Sequence, residues 1–132
     1  MGELTRRLAL ARRALATLRE ALREPPSALV RDASIQRFEY GFETAWKAAQ
    51  RFLRECEGVE AASPSAAVRQ SHAVGLLEEA DAREALEMVS DRNLTTHTYN
   101  EALAIRIFGR LSAYADLIDR WLAAIEARSG QS

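Results

Sequence analysis

The sequence predicts an all-α protein, an up-and-down antiparallel bundle of four or five helices that forms a single domain over residues 1–132. Three observations support this fold class. Apolar residues recur three and four positions apart along most of the chain, prolines and glycines separate these stretches, and no stretch alternates apolar and polar residues as a strand would. Amphipathic helices with short connections pack most simply as a bundle. We expect an ordered core from about residue 4 to about residue 127.

A proline pair separates the first two helices. Pro25 and Pro26 end the first helix because neither can donate a backbone hydrogen bond. Its apolar seam, which arginines flank, consists of Leu4, Leu8, Ala11, Leu15, Leu18 and Leu22. Either Asp32 or Ser34 is predicted to cap the second helix. The buried face of that helix is predicted to contain Ile35, Phe38, Phe42, Ala45, Ala49, Phe52 and Cys56.

The next two helices have recognisable start and stop signals. Gly58 is predicted to end the second helix, and Ser63-Pro64 combines an N-cap with a proline at the first position of the third. The third helix is expected to extend to about Leu77. The fourth is expected to begin at Asp81 or Glu79 and to pack Ala82, Ala85, Leu86 and Val89 inward.

A polar segment of nine residues, beginning at Arg92, interrupts the helix-forming sequence before the last helix. Its threonines and asparagines favour helix ends over helix interiors. Thr98 and Glu101 have the spacing of a capping box, which predicts that the last and longest helix begins near Tyr99, with Tyr99 in its first turn. Arg92 would then close the fourth helix, and a tight junction could bring Arg92, His97 and Tyr99 together. The inward face of the last helix is predicted to contain Leu103, Ile107, Leu111, Tyr114, Ile118, Trp121 and Ile125.

Composition argues against several classes of protein. The formal net charge of -1 disfavours a surface that coats nucleic acid broadly, although a local basic patch remains open. The single cysteine cannot form an internal disulfide, and the N-terminus has no secretory signal. No apolar run approaches the roughly 20 residues of a membrane span. We therefore expect a soluble, cytoplasmic protein that does not associate with membranes.

Familiar catalytic patterns are absent from the sequence. It has no zinc-type spacing of Cys and His, no glycine-rich phosphate loop, and no paired carboxylates beyond ordinary surface charge. We therefore expect neither a metal nor a cofactor, and His72 is expected to be solvated or at the edge of the core. The remaining candidates are Arg92, Asn93, His97 and Tyr99. From spacing alone, a polar turn between two helices explains them more simply than a catalytic site.

Two motifs resemble those of a known family. Residues 92–99, Arg-Asn-x-x-x-His-x-Tyr, resemble the Arg-x4-His-x-Tyr signature of the HEPN superfamily. Residues 37–47, Arg-Phe-Glu-Tyr-x-Phe-Glu-x-x-Trp-Lys, resemble the second helix of its nucleotidyltransferase-partner branch, also described as nucleotidyltransferase substrate-binding proteins. The resemblance covers about residues 4–125 and implies similarity to the substrate domain of kanamycin nucleotidyltransferase. One departure is the lack of a tryptophan at 85–90, before the arginine motif.

The resemblance implies the toxin of a toxin–antitoxin pair, a metal-independent endoribonuclease neutralised by a minimal nucleotidyltransferase encoded beside it. His97 would then shuttle a proton, Arg92 would clamp the phosphate of the RNA, and Asn93 would orient that phosphate or stiffen the turn. One histidine is fewer than a full acid/base pair, so we expect a homodimer that places two motifs in one cleft. The partner would transfer AMP from ATP to Tyr99. Alternatively, Tyr99 packs over the turn or donates a hydrogen bond.

A second interpretation remains open, that of a non-catalytic helical subunit that docks onto a nucleotidyltransferase and presents its substrate. This interpretation does not require an Arg/His pair. The presence of both Arg92 and His97 at the family spacing favours the ribonuclease.

Overall fold

The computed structural model describes residues 2–130, which form six α-helices. They are α1 (Glu3–Leu22), α2 (Ala28–Glu57), α3 (Pro64–Ala73), α4 (Glu79–His97), α5 (Glu101–Phe108) and α6 (Leu111–Ser129). No strand occurs among the described residues, and the predicted all-α antiparallel bundle is confirmed. In residues 2–130, no helix combines the length and the apolar character that a membrane span requires.

The core is built around α2, which at 30 residues is the longest helix and contacts each of the other five. The prediction that the last helix is the longest was wrong. Phe38, Phe42 and Phe52 of α2 are almost completely buried. The ring of Phe38 stacks on that of Tyr114 in α6, with a distance of 5.6 Å between centroids. Aromatic burial of this kind supplies much of the free energy of folding, so α2 fixes where the other helices lie.

Several predicted helix boundaries are confirmed, and others were wrong. Gly58 ends α2 in the left-handed conformation, with a φ of 66°, and Ser63-Pro64 opens α3 as expected. The cap of α2, however, is Ser27, whose hydroxyl accepts a hydrogen bond from the backbone of Val30. Asp32 and Ser34 therefore lie inside the helix. Of the residues predicted on the buried face of α2, Cys56 is exposed.

The third and fourth helices also differ from their predicted limits. α3 ends at Ala73 rather than near Leu77, whereas α4 begins at Glu79, one of the two predicted starts. The predicted break falls later than expected, since α4 continues unbroken to His97. Thr96 is accommodated in the helix because its hydroxyl donates to a backbone carbonyl one turn earlier. The Thr95 hydroxyl has a single proton and lies 2.8 Å from such a carbonyl and 2.6 Å from the carboxylate of Glu39.

The break itself consists of residues 98–100. Thr98 has an extended backbone and ends α4, whereas Asn100 caps α5, its side chain accepting from the backbone of Leu103 at 2.8 Å. The predicted capping box at Thr98 was therefore wrong. Asn is at least as favourable as Thr at an N-cap, so the asparagine two residues later can cap the helix instead. Arg92 does not close a helix.

The predicted last helix is interrupted between Phe108 and Leu111, which gives α5 and α6. Its predicted inward face is confirmed as buried, except that Leu103 is only partly buried. Where α6 begins, the Tyr114 hydroxyl and the Arg110 guanidinium donate to the same carboxylate oxygen of Asp91, at 2.6 and 2.9 Å. Asp91 belongs to α4 and is 4% exposed. This carboxylate therefore ties α4 to α6.

Replacing Asp91 with alanine is expected to lower the free energy of unfolding by about 2–4 kcal/mol. The change leaves the buried Tyr114 hydroxyl without its acceptor and removes the partner of Arg110. Urea denaturation followed by circular dichroism measures the difference. Asp116→Ala is the matched control, since Asp116 pairs with Arg19 at a site where its side chain is 63% exposed. That change is expected to cost less than about 1 kcal/mol. Equal losses in the two variants would contradict the structural role of Asp91.

Candidate functional site

Three polar contacts join α2 to the segment that carries the predicted site residues. Two come from the C-terminal half of α4 and one from the connection that follows it. Arg92 donates to Glu43, Thr95 donates to Glu39, and Tyr99 donates to Asp32. Asp32, Glu39 and Glu43 all belong to α2, and we call them the α2 carboxylates. The candidate site is therefore built along one edge of the central helix.

The Arg92 side chain lies against α2 rather than extending into solvent. Its Nη2 donates to Oε2 of Glu43 at 2.9 Å, and its guanidinium carbon is 5.8 Å from the centroid of the Phe42 ring. The side chain is 26% exposed, and its buried Nε has no hydrogen-bond partner among the described residues. Arg92 is thus held in one orientation by an ion pair and an aromatic face.

Glu43 is the acceptor around which this part of the site is arranged. Besides Arg92, it accepts from the indole of Trp46 at 2.9 Å and pairs with Lys47 at 3.3 Å. Partial burial would raise the pKa of Glu43, but the hydrogen bonds from Trp46 and Lys47 and the charge of Arg92 together lower it. Glu43 is therefore an anion at neutral pH, and it holds Arg92 in place as its counter-ion.

His97 is the last residue of α4 and is exposed. It lies five residues after Arg92 on one continuous helix, so the two side chains leave the axis roughly 140° apart. The predicted convergence of Arg92, His97 and Tyr99 across a tight helix junction was therefore wrong. Asn93, also exposed, precedes His97 by four residues, which places both on one face of α4. Within one chain, His97 therefore lies on the same face of α4 as Asn93 and on a different face from Arg92.

Tyr99 lies in the extended connection before α5 and not in the first turn of a helix, contrary to expectation. Its side chain is largely in solvent, with 59% of the residue exposed, yet its hydroxyl donates to Oδ1 of Asp32 at 2.5 Å. This hydrogen bond, followed by desolvation and the negative charge of the carboxylate, raises the pKa of Tyr99. The bond from Tyr99, with help from Arg31, lowers the pKa of Asp32. The phenol therefore stays protonated beside an ionised acceptor.

The α2 carboxylates are the part of the site that sequence reasoning missed. Glu39 and Glu43 are four residues apart, and Asp32 precedes Glu39 by seven, which is the spacing of one helical face. That spacing is a usable signal, but solvated surface carboxylates on a helix show the same spacing. Among residues 2–130, no cluster of three or more His, Cys, Asp or Glu side chains is arranged to hold a metal ion.

Comparison with known proteins identifies the family of this chain. The model of the family described as nucleotidyltransferase substrate binding protein like matches residues 6–127. The chain belongs to this family. A protein from Thermus thermophilus, known from its crystal structure, is 56% identical and superposes with a TM-score of 0.83, covering 87% of this chain and 98% of the other. No functionally curated sequence matches the chain.

More distant structures of the same fold come from toxin–antitoxin pairs. A tri-AMPylated HEPN toxin from Shewanella oneidensis, solved in complex with its MNT antitoxin, is 16% identical with a TM-score of 0.79, covering 96% of this chain and 99% of the other. A toxin–antitoxin structure with AMP-PNP is 14% identical over the same shares of the two chains, with a TM-score of 0.77. At such identities the likeness establishes the fold. With the family match, it confirms the predicted resemblance to the nucleotidyltransferase-partner branch of HEPN proteins.

Replacing Asp32 with alanine is expected to lower the pKa of Tyr99 toward the ordinary tyrosine value of about 10, because the acceptor that favours the protonated phenol is lost. Spectrophotometric titration of tyrosinate measures the pKa, and the Tyr99→Phe variant identifies which part of the signal belongs to Tyr99. Glu101→Gln removes a nearby carboxylate that pairs with Arg31 at 3.8 Å but does not contact the phenol. It is expected to move the titration much less. An unchanged Tyr99 titration in Asp32→Ala would rule out the hydrogen bond.

Proposed function

We propose that this protein is the toxin of a toxin–antitoxin pair, a metal-independent endoribonuclease that acts in the cytoplasm. Arg92 and His97 are its catalytic residues, and Asn93 supports them. The observation that carries the proposal is the intact Arg-x4-His-x-Tyr motif at an accessible end of α4, within a fold shared with HEPN toxins. His97 is exposed to an incoming strand, and Arg92 is fixed at the edge of α2.

RNA suits a site with so few functional groups because it carries its own nucleophile. The enzyme needs only to deprotonate the 2'-hydroxyl, protonate the leaving 5'-oxygen and stabilise the charge on the phosphorane. An imidazole can accept and donate the proton, which is the role of His97. A guanidinium has five N–H donors suited to phosphate oxygens, which is the role of Arg92. The products are a 2',3'-cyclic phosphate and a free 5'-hydroxyl.

The ion pair with Glu43 is compatible with this role of Arg92. Only Nη2 of the guanidinium is bonded to the carboxylate, and Nε has no partner within the described residues. A phosphate can engage guanidinium donors on the exposed part of the side chain while Glu43 keeps the planar group oriented, whereas the buried Nε is shielded from it. Fixing the orientation in advance reduces the entropy lost when substrate binds. In this proposal Glu43 is a positioning residue for Arg92.

A homodimer completes the proposed site. Each chain offers one histidine at this end of α4, and the 140° divergence keeps Arg92 and His97 of one chain from facing a single phosphate directly. A two-fold axis near the end of α4 sets a second Arg92 and His97 opposite the first. One histidine then acts as the base and the other as the acid. The accessible face shared by Asn93 and His97 is consistent with such an arrangement.

Neutralisation by a minimal nucleotidyltransferase is part of the same proposal. The partner transfers AMP from ATP to the Tyr99 hydroxyl. Tyr99 is exposed enough for a second enzyme to reach and follows His97 by only two residues. A nucleotide there blocks the approach of RNA and adds negative charge beside the catalytic residues. The tri-AMPylated state of the Shewanella toxin, a protein of the same fold, supports this mode of control.

A second candidate function is that of a non-catalytic subunit that docks onto a nucleotidyltransferase and presents its substrate. The engagement of Arg92 with Glu43 favours this alternative, because it gives the arginine a structural role without catalysis. The description of the matching family points the same way. Cleavage of RNA by the purified chain separates the two functions.

His97→Ala and Arg92→Ala are each expected to reduce the rate of RNA cleavage by about 10²- to 10⁴-fold, since each removes a group that acts on the transition state. Purified protein is incubated with a fluorescent RNA, with and without EDTA, and the wild-type rate is expected to be the same in both conditions. His72→Ala is the matched control, because His72 is also exposed but bonds to the carbonyl of Leu77 at 3.0 Å, in a different part of the bundle. Thermal melting verifies that each variant is folded. Undiminished cleavage by the Arg92/His97 double variant would refute the assignment.

Co-expression with the nucleotidyltransferase encoded beside this chain is expected to add the mass of AMP to Tyr99. Intact-mass spectrometry detects the adduct, and peptide mapping places it. Tyr99→Phe is expected to abolish the adduct, whereas Tyr40→Phe leaves it in place, although Tyr40 is 52% exposed. A neutralised toxin with unmodified Tyr99 would instead mean inhibition by binding alone.

A further inference from the structure

Tyr99 is distinguished from the other two tyrosines by what surrounds its hydroxyl. Tyr114 is hydrogen-bonded to a carboxylate, Asp91, but is only 2% exposed, so no partner enzyme can reach it. Tyr40 is exposed, but its hydroxyl has no carboxylate partner within residues 2–130. Tyr99 combines exposure with a hydrogen bond from its hydroxyl to Asp32, a residue 67 positions away in α2. The fold thus places an ionised carboxylate at hydrogen-bond distance from Tyr99, the accessible tyrosine of the Arg-x4-His-x-Tyr motif.

A phenol that attacks phosphorus must lose its proton during the reaction. Its oxygen becomes more acidic as the bond to phosphorus forms, so a carboxylate already bonded to the hydroxyl can receive the proton at that stage. Protein kinases use an aspartate in this way for the hydroxyl of their substrate. The existing hydrogen bond also directs the phenolic proton toward α2. A lone pair of the phenol oxygen is then left to face an incoming α-phosphate.

We propose that Asp32 is the general base for AMP transfer to Tyr99. As the phenol oxygen forms its bond to the α-phosphorus of ATP, the bond from that phosphorus to the oxygen bridging to the β-phosphate breaks. Pyrophosphate leaves with the electron pair of the broken bond, and the phenolic proton moves to the carboxylate of Asp32, which later releases it to solvent. ATP comes from the partner nucleotidyltransferase, so this inference rests on the proposed modification of Tyr99.

The charged groups around Asp32 suit this role. Arg31 approaches Asp32 at 3.4 Å and Glu101 at 3.8 Å, so the cation stands between the two carboxylates. The guanidinium of Arg31 favours the ionised form of Asp32 before the reaction. The same guanidinium lies near the point at which the transferred phosphate becomes attached, where a cation stabilises added negative charge.

The test compares the wild-type chain with Asp32→Asn, both purified and incubated with the purified nucleotidyltransferase and radiolabelled ATP. Asparagine keeps an oxygen that can accept the phenolic hydrogen bond, but it cannot take up the proton. The maximal rate of AMP transfer is expected to fall by about 10²- to 10⁴-fold, with little change in the KM for this chain. Glu101→Gln, which removes a carboxylate from the same cluster without touching the phenol, is the control and is expected to retain nearly the full rate.

A pH profile distinguishes a base from a residue that only positions Tyr99. Without Asp32, the phenol must lose its proton to solvent, so the rate of the Asn variant is expected to rise by about tenfold per pH unit below the pKa of Tyr99. The wild-type rate lacks this dependence. Dividing the wild-type rate by the rate of the Asn variant cancels the pH response of the nucleotidyltransferase itself. This ratio is expected to decrease steadily as the pH rises.

The outcomes separate this inference from the proposal on which it rests. If the wild-type chain takes up no AMP, or takes it up at another residue, the proposed modification of Tyr99 is wrong and the role of Asp32 is lost with it. If the wild-type chain is modified at Tyr99 and Asp32→Asn is modified equally fast, only the role of Asp32 is overturned. If Asp32→Asn is slower but the ratio of the wild-type rate to the variant rate does not change with pH, the role of Asp32 as a base is also overturned. Asp32 would then only position Tyr99.

Discussion

The structure depends on α2, whose two faces serve different purposes. Its apolar face packs Phe38 and Phe42 into the core, where Phe38 stacks on Tyr114 of α6. Its carboxylates hold the motif segment through Arg92, Thr95 and Tyr99. Both sets of side chains project from one continuous helix, so the packing of the aromatic core also sets where the carboxylates lie. A shift of α2 large enough to move Glu43 would have to disturb the packing of these buried aromatic rings.

The position of α4 follows from two adjacent residues that face in different directions. Asp91 accepts hydrogen bonds from Arg110 and Tyr114 on the side of α6, whereas Arg92 donates to Glu43 on the side of α2. Successive residues of an α-helix are rotated by about 100°, which suits one helix lodged between two neighbours. The remaining face of this part of α4 is the one that carries Asn93. Structural anchoring by Asp91 and Arg92 therefore determines which side chains of the motif are available to a ligand.

The core could be predicted from sequence because it depends on local periodicity. The apolar seams identified most of the buried residues of α1, α2 and α6, since a spacing of three and four defines one face of a helix whatever packs against it. Helix ends were harder, because neighbouring residues compete for the same role. Ser27 precedes Asp32, and Asn100 follows Thr98, and in each pair both residues can cap. Local propensity alone does not choose between them.

The site was only partly predictable, because its contacts join residues that are far apart in sequence. The motif residues could be identified by type and spacing. Their partners could not, since nothing local associates Arg92 with Glu43, 49 positions earlier, or Asp91 with the start of α6. The interpretation of Asp32 as a helix cap shows the same limit. The neighbours of this aspartate predicted a local role as a cap, which was wrong, whereas its contact with Tyr99 depends on the fold.

The contact between Tyr99 and Asp32 bears directly on how the proposed modification would act. Attachment of AMP to the phenol oxygen removes the proton that Asp32 accepts and places a phosphodiester anion beside an ionised carboxylate. The hydrogen bond cannot persist in the product, and the two like charges repel. Modified Tyr99 would therefore lose its hydrogen bond to Asp32, whereas Arg31, 3.4 Å from Asp32, would remain as a cation for the phosphodiester. Control of the proposed ribonuclease would accordingly combine obstruction by the nucleotide with loss of the hydrogen bond that joins the connection before α5 to α2.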